Sequence, residues 1–201
     1  RFEEPAGKCT TYCPILSAIK SLKSSRLSRV AMVGTPCQIR TVRKAQCLGL
    51  HPAHVIGYAI GQFCMESLAF DMPRRAKLED RLHIDLADIE ALNIKEDLSV
   101  SLRNGTVIHL PLEEAEEIAR PTCLTCSDFA NDYADIAIGE LGSPDGYATV
   151  FVRTEKGSQV YAGALRQGYI EERRFRNAAE LRSEQTRIMA QVVALARRKQ
   201  E

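Results

Sequence analysis

Four cysteines in three short contexts constrain this chain more than any other feature. Cys37 follows the apolar run RVAMVG, and Cys64 follows HVIGYAIGQF, each near the point where a buried strand would end. Cys123 and Cys126 form a Cys-x-x-Cys pair much later in the chain. Since the ends of strands in one sheet lie close in space, these distant thiols can converge. Four thiolates complete a 4Fe-4S cluster or a structural zinc site, and unligated cysteines are a third alternative that the chemistry alone leaves open.

The composition indicates the redox compartment in which these cysteines act. The chain has 201 residues and seven cysteines, an odd number in a chain longer than the usual disulfide-stapled scaffold. Metal or redox use in a reducing compartment therefore fits better than a secreted disulfide framework. A net charge of +1 gives no indication of a nucleic-acid partner. No apolar run reaches the roughly 18 residues that a membrane span needs, so we predict a cytoplasmic protein without a transmembrane segment.

Apolar strand-like runs alternate with helical periodicity, which predicts an α/β fold with a mixed sheet flanked by helices. We expect one domain over residues 1–201, in which 1–14 form an irregular entry and 176–201 hold a long C-terminal helix capped by Asn177. Strands are predicted at 29–33, 55–63, 134–139 and 148–153, with an edge strand at 170–175, and helices at 15–22, 37–46, 66–82, 113–119 and 158–167. Asn104-Gly105 between two alternating runs, 98–102 and 107–110, predicts a small β-hairpin excursion.

The segments around the cysteines resemble the beta subunits of coenzyme F420-reducing hydrogenases and F420H2 dehydrogenases. The resemblance rests on GTPCQ at 34–38, FCME at 63–66, CLTCSD at 123–128, ADI at 134–136, GSPDGY at 142–147, VRT at 152–154 and Gly157. The order and approximate spacing agree from Lys8 to Phe175. A single Cys-x-x-Cys would be weak, but the combined set is specific for the family.

The resemblance implies a 4Fe-4S cluster held by Cys37, Cys64, Cys123 and Cys126, and a bound FAD. The flavin or deazaflavin contacts that it implies are Thr10, Thr11, Ser143, Pro144, Asp145, Gly146 and Tyr147. Taken by itself, Pro-Asp-Gly is a common turn sequence, so a simple surface turn is the alternative for this loop. No catalytic side chain is implied, because a hydride passes between two ring systems and single electrons pass to the cluster.

For function, the resemblance implies an oxidoreductase subunit that oxidises or reduces coenzyme F420 and relays electrons to hydrogenase or dehydrogenase electron-transfer subunits. Such a subunit is cytoplasmic or lies at the periphery of a membrane complex. One alternative is another branch of the superfamily, such as ferredoxin-driven reductases of chlorophyll intermediates or F420H2-dependent sulfite reductases. Another is a zinc-stapled assembly module without activity. The chain begins at Arg1, inside the family pattern, so we expect a missing N-terminal segment and a fragment that keeps iron better than FAD.

Overall fold

The structure is a computed structural model that describes residues 16–24, 26–69, 71–94, 97–144 and 146–200. In chain order its elements are α1 (Leu16–Leu22), β1 (Val30–Gly34), α2 (Pro36–Cys47), β2 (Ile56–Gln62), α3 (Met72–Leu82), β3 (Ile89–Ile94), β4 (Leu98–Leu102), β5 (Val107–Leu110), α4 (Leu112–Ala115), β6 (Ile136–Gly139), β7 (Thr149–Val152), α5 (Glu155–Arg166) and α6 (Ala178–Arg198). Helices combined with parallel and antiparallel strands confirm the predicted α/β class, including the long C-terminal helix.

The described chain divides into two compact units. The central unit comprises Met65–Thr125, and the sheet unit comprises the described residues up to Cys64 and those from Cys126 onward. The predicted single domain over residues 1–201 stays a prediction.

The sheet unit is built on a mixed four-stranded sheet in the order β1-β2-β6-β7. The first three strands run parallel, with Gly34 opposite Gly61 and Gly61 opposite Ala137. Strand β7 runs antiparallel to β6 and closes one edge. The core includes Met32, Ile39, Val42, Ile56, Ala59, Ala134 and Ala137, against which α1 packs Leu16, Ile19 and Leu22. These apolar positions recur at strand and helix periods, which is why the sequence predicted most of these elements.

The connection from β1 to α2 follows the predicted turn chemistry. Thr35 has extended backbone angles at the N-cap, and Pro36 occupies the first turn, where its missing N–H leaves no helical bond unmade. The side chain of Gln38 accepts a hydrogen bond from the Thr35 N–H at 3.0 Å. This reciprocal capping starts the helix within two residues of the strand end, so Cys37 lies in its first turn.

The central unit contains a three-stranded antiparallel sheet in the order β3-β4-β5. The predicted hairpin of β4 and β5 is present with its predicted bounds, and Gly105 takes a φ of 85° in the turn. The sequence predicts no element at the position of the third strand, β3. It pairs with β4 over a core that contains Leu98, Val100, Leu102 and Leu110.

Two predicted elements were wrong in part or in whole. The helix predicted at 66–82 begins only at Met72, because Asp71 caps it by accepting from the Arg74 N–H at 3.1 Å, and Leu68 instead forms an isolated bridge with Ala119. Pro73 belongs to the first turn, where proline is tolerated. The segment 170–175 is irregular and not an edge strand. Its charged side chains bond to helices: Glu172 accepts from Tyr161 on α5, and Arg173 donates to Glu184 on α6.

Helix α6 runs for 21 residues after an asparagine cap. Asn177 Oδ1 accepts from the N–H groups of Ala179 and Glu180 at 3.0 and 2.9 Å, as its position predicted. Among the residues that the structure describes, no helix, α6 included, combines the length and apolar character needed to cross a bilayer.

Candidate functional site

The carboxyl edge of the parallel strands gathers three of the sequence features singled out above. Cys37 lies in the first turn of α2, just after β1, and Cys64 lies two residues beyond β2. The loop 140–147 follows β6, whose strand runs parallel to β2. Parallel strands end at a common edge, and ligands of open α/β sheets bind there. Cys37 and Cys64 thus both lie at this edge of the sheet, after two adjacent strands, as their positions after apolar runs predicted.

Asn131 bridges the ends of β1 and β2, the strands that precede Cys37 and Cys64. Its Nδ2 donates to the carbonyl oxygen of Gly34 at 3.0 Å and to that of Gln62 at 3.2 Å. The residue is completely buried and has a φ of 61°. Gly61 leaves room for it, because a Cβ at Gly61 would approach the Asn131 side chain to 2.3 Å. Sequence reasoning did not identify Asn131, since nothing local distinguishes it from a surface turn residue.

Asp128 folds the segment that follows Cys126. Its Oδ1 accepts from the N–H groups of Asn131 and Asp132 at 2.8 and 3.2 Å. Burial raises the pKa of Asp128, and the nearby Asp132 charge adds to that effect, although the two backbone bonds and Lys199 oppose it. Cys126 Sγ lies 3.8 Å from the carbonyl oxygen of Asp128. The aspartate of the Cys-x-x-Cys-x-Asp motif thus acts as a turn cap beside the second cysteine.

Cys64 is held beside this same segment. Its N–H donates to the carbonyl oxygen of Phe129 at 3.0 Å. Lys199 Nζ donates both to the Cys64 carbonyl oxygen and, at 3.1 Å, to that of Asp128. Backbone bonds and one lysine therefore bring the chain around Cys64 and the chain after Cys126 together within the sheet unit.

Cys123 belongs to the central unit. The Ser67 N–H donates to Cys123 Sγ at 3.4 Å, and the Arg120 N–H donates to the Ser67 carbonyl oxygen at 2.9 Å. Hydrogen bonds from backbone N–H groups to cysteine sulfur are one means by which proteins stabilise thiolate ligands and adjust cluster potentials. Cys123 thus already has the kind of neighbour that a ligating thiolate uses.

The chemistry of the sulfur donors fits a thiolate-bound metal centre. None of Cys37, Cys64, Cys123 and Cys126 is in a disulfide, and Thr35 Oγ1 lies 3.3 Å from Cys37 Sγ. As the described side chains are placed, no group of three or more cysteine, histidine or carboxylate residues could hold a metal ion. The ligand set therefore stays a prediction that rests on the donors and their hydrogen bonds.

The loop predicted to contact a flavin is described at Ser143, Pro144, Gly146 and Tyr147. Tyr147 N–H donates to the Pro144 carbonyl oxygen at 3.0 Å, and Gly146 has a φ of 83°, as a glycine at this turn position should. Ser143 Oγ lies 2.8 Å from Thr149 Oγ1 on β7. Tyr147 is 41% exposed. Asp145, Thr10 and Thr11, the other predicted contacts, lie outside the described residues.

Helix α6 contacts this loop at Gly142. Arg187 donates to the Gly142 carbonyl oxygen, and a Cβ at Gly142 would meet Gln191 Oε1 at 2.6 Å and Ile188 Cγ1 at 3.0 Å. Hydrogen bonds from Arg187, and then from Arg173, hold the pKa of Glu184 down to about 2, so Glu184 stays ionised and keeps the Arg187 guanidinium oriented.

Asp135 ties the sheet to both flanking helices. Its Oδ2 accepts from the Ala59 N–H at 2.8 Å and pairs with Arg43 at 2.9 Å, while its Oδ1 accepts from the Thr154 hydroxyl at 2.8 Å. Burial alone would raise the pKa of Asp135, but the bonds from Ala59 and Thr154 and the Arg43 charge outweigh it and lower that pKa. Asp135 is therefore a buried carboxylate held ionised by three donors.

The fold and the candidate site together define this chain as an α/β protein with cysteines and a glycine-containing loop at the carboxyl edge of its sheet. Residues 27–178 match the family described as the C terminus of the coenzyme F420 hydrogenase/dehydrogenase beta subunit. The chain belongs to this family, which confirms the resemblance found in the sequence. The match spans parts of both compact units.

Several curated proteins are similar to this chain. The beta subunit of the coenzyme F420 hydrogenase of Methanosarcina barkeri is 32% identical over 170 residues, which cover 82% of this chain and 58% of the relative. The coenzyme F420-dependent sulfite reductase of Methanocaldococcus jannaschii is 33% identical over 72% of this chain and 25% of the relative. One of the subunits of the F420H2 dehydrogenase of Methanosarcina mazei is 29% identical over 79% of this chain and 45% of the relative. The chain thus spans less than two thirds of the length of these relatives.

A solved structure shares the fold. It is the F420-reducing [NiFe] hydrogenase complex from Methanosarcina barkeri, studied by xenon derivatization. One chain of that structure superposes with a TM-score of 0.74 and 27% sequence identity, covering 94% of this chain and 67% of the other.

Proposed function

We propose that this chain is part of an electron-transfer subunit that oxidises or reduces coenzyme F420 and relays the electrons to a partner redox subunit. One observation carries the proposal. A hydrogenase subunit, a dehydrogenase subunit and a sulfite reductase, three relatives with different names, share coenzyme F420 in those names and share the region present here. A region common to proteins that otherwise differ is the natural place for the substrate that they have in common.

We also propose that Cys37, Cys64, Cys123 and Cys126 ligate one 4Fe-4S cluster, and that the loop from Ser143 to Tyr147 lines an FAD or deazaflavin pocket. When bound, FAD exchanges a hydride with the deazaflavin and exchanges single electrons with the cluster. The fit rests on four thiol side chains outside disulfides, an N–H bond to Cys123 Sγ and an exposed Tyr147 side chain.

The residues of the chain would position the cofactors and provide a favourable electrostatic environment for them. Cys37 lies in the first turn of α2, at the end of the helix where the dipole places partial positive charge, which suits an anionic cluster bound nearby. Gly146 removes side-chain bulk at the turn, so a planar ring can approach the backbone closely. No side chain is required to act as an acid, base or nucleophile, because the transferred hydride and electrons move between cofactors.

The metal proposal is tested by anaerobic purification followed by iron, sulfide and zinc analysis and visible absorption. We expect four iron atoms per chain and loss of iron in single serine variants of the four proposed ligands. Cys47→Ser is the matched control, because Cys47 is also a free, exposed thiol on α2 but lies at its far end. Zinc in place of iron would favour the stapled assembly module, and full iron in Cys64→Ser would remove Cys64 from the ligand set.

The substrate proposal is tested by titrating oxidised coenzyme F420 into the FAD-supplemented protein and following its fluorescence. We expect saturable binding and, with an artificial electron acceptor, oxidation of F420H2. Hydrogenase or dehydrogenase subunits and sulfite reductase modules are the partners that the relatives suggest, and coupled assays with each would distinguish them. Absence of binding in a protein that is loaded with FAD and iron would contradict the proposal.

A further inference from the structure

We infer that Asn131 is a positioning residue that sets the distance between the strand ends carrying Cys37 and Cys64. The inference rests on the proposed function in one respect, that these cysteines are metal ligands. The Asn131 amide donates its hydrogen bonds to backbone carbonyl groups. It acts through the backbone that leads into each ligand.

The Asn131 amide forms hydrogen bonds to both segments at the point where the pairing of β1 with β2 ends. The last paired residues of the two strands are Gly34 and Gly61. Beyond them β1 turns into α2, and the Asn131 amide bridges the carbonyl oxygens of Gly34 and Gln62. These two carbonyl groups stand three residues before Cys37 and two residues before Cys64. A single rigid amide therefore bridges the two backbone segments at the point where their ladder ends.

The same residue fixes the chain that follows Cys126. The Asn131 N–H is bound by the side chain of Asp128, and the neighbouring Phe129 carbonyl oxygen accepts from the Cys64 N–H. Asn131 thus lies at the junction of the three cysteine-bearing segments of the sheet unit. Outer groups of this kind, which hold ligands in place without binding metal, affect metal affinity strongly.

The position requires the donors of asparagine together with its shape. A φ of 61° is accessible to asparagine, aspartate and glycine more readily than to other residues. Only asparagine among these three offers two N–H bonds from its side chain to the two carbonyl groups. Asn131 Oδ1 is buried and has no hydrogen-bond partner in the described part of the protein. The donor half of the amide is therefore what the site uses.

The test compares Asn131→Asp with Val192→Ala in anaerobically purified protein. Aspartate keeps the shape and the tolerance of positive φ, but it presents an oxygen to the two carbonyl groups. Val192 is buried on α6, so its truncation lowers stability without touching the strand ends. We expect Asn131→Asp to release its metal to a chelator about ten-fold faster than the wild type and to alter the EPR spectrum of the reduced cluster. Val192→Ala should keep the wild-type spectrum and release rate.

A second set of variants separates positioning from folding. Gly61→Ala pushes the unmodified Asn131 side chain out of place, because the added Cβ would come within 2.3 Å of it. We expect the same spectral change as in Asn131→Asp. In the Asn131→Gly background, Gly61→Ala finds free space and should change the spectrum little further. Asn131→Asp with a wild-type spectrum and release rate would overturn the inference alone. A wild-type chain that binds neither iron nor zinc would overturn the proposed metal centre and the inference with it.

Discussion

Lys199, at the end of α6, donates a hydrogen bond from its ammonium group to the backbone carbonyl oxygen of Cys64. The two residues are 135 positions apart in the sequence. The same ammonium bonds to the Asp128 carbonyl oxygen, so the last turn of the C-terminal helix is fastened to two of the three cysteine-bearing segments of the sheet unit. The helix that the sequence predicts only as a long C-terminal element therefore also supports the candidate site.

We predict that Lys199→Met lowers the free energy of unfolding by about 1 kcal/mol, because two carbonyl groups lose a charged hydrogen-bond donor. Urea unfolding measures the change. Lys156→Met is the matched control, since Lys156 Nζ makes a single long bond of 3.4 Å to the exposed Gly57 carbonyl oxygen. The control should change stability by less than about 0.5 kcal/mol. Equal effects of the two substitutions would show that the Lys199 hydrogen bonds add no more stability than the single bond of Lys156.

Helix α5 contains two glycines with opposite expected responses to substitution. A Cβ at Gly157 would lie 2.2 Å from the carbonyl oxygen of Asp135, a backbone atom that cannot rotate away. Nothing lies within 4 Å of a Cβ at Gly163. We predict that Gly157→Ala costs about 2 kcal/mol through overpacking, while Gly163→Ala stabilises by about 0.5–1 kcal/mol through helix propensity. Thermal unfolding of both variants checks the pair, and a stabilising Gly157→Ala would contradict the close approach of α5 to the sheet.

The sequence predicts local features of this protein well and long-range contacts poorly. The β4–β5 hairpin has the predicted bounds, and Cys37 and Cys64 lie at strand ends, because periodicity and turn residues are encoded locally. Asn131 and Lys199 escaped notice because their roles depend on residues 69 to 135 positions away. The Asp128-to-Asn131 spacing, in which an aspartate accepts from the N–H group three residues on, is a local signal that could have predicted the turn but not the role of Asn131.

Substitutions at the two glycines of the 142–147 loop distinguish a structural role of the loop from a role in FAD binding. Both have positive φ, 74° at Gly142 and 83° at Gly146, so alanine at either costs about 1–2 kcal/mol in backbone strain. Only at Gly142 does the added Cβ also press on α6. We predict that Gly142→Ala is the more destabilising of the two in urea, and that Gly146→Ala weakens FAD binding while its iron content stays normal. Unchanged FAD affinity in a folded Gly146→Ala protein would reduce the loop to a structural turn.

The last prediction concerns the acid limit of stability, which Asp135 helps to set. Its pKa in the folded protein lies below its ordinary value of 3.8, so the unfolded chain binds the proton more readily. The stabilisation from Asp135 is therefore fully present above that ordinary value and is lost as the pH falls through the lower folded pKa.

Asp135→Asn should remove this contribution. We expect the variant to be about 2 kcal/mol less stable near neutral pH, since Arg43 loses a largely buried partner. The difference between the two proteins should shrink below pH 3.8, because the unfolded wild-type chain takes up a proton there while the folded protein does so only at lower pH. Urea unfolding of both proteins across the acid range measures the convergence. Parallel pH profiles would show that Asp135 is not the group responsible, and Glu184→Gln would then be the next variant, since Glu184 is another carboxylate whose pKa is lowered, to about 2.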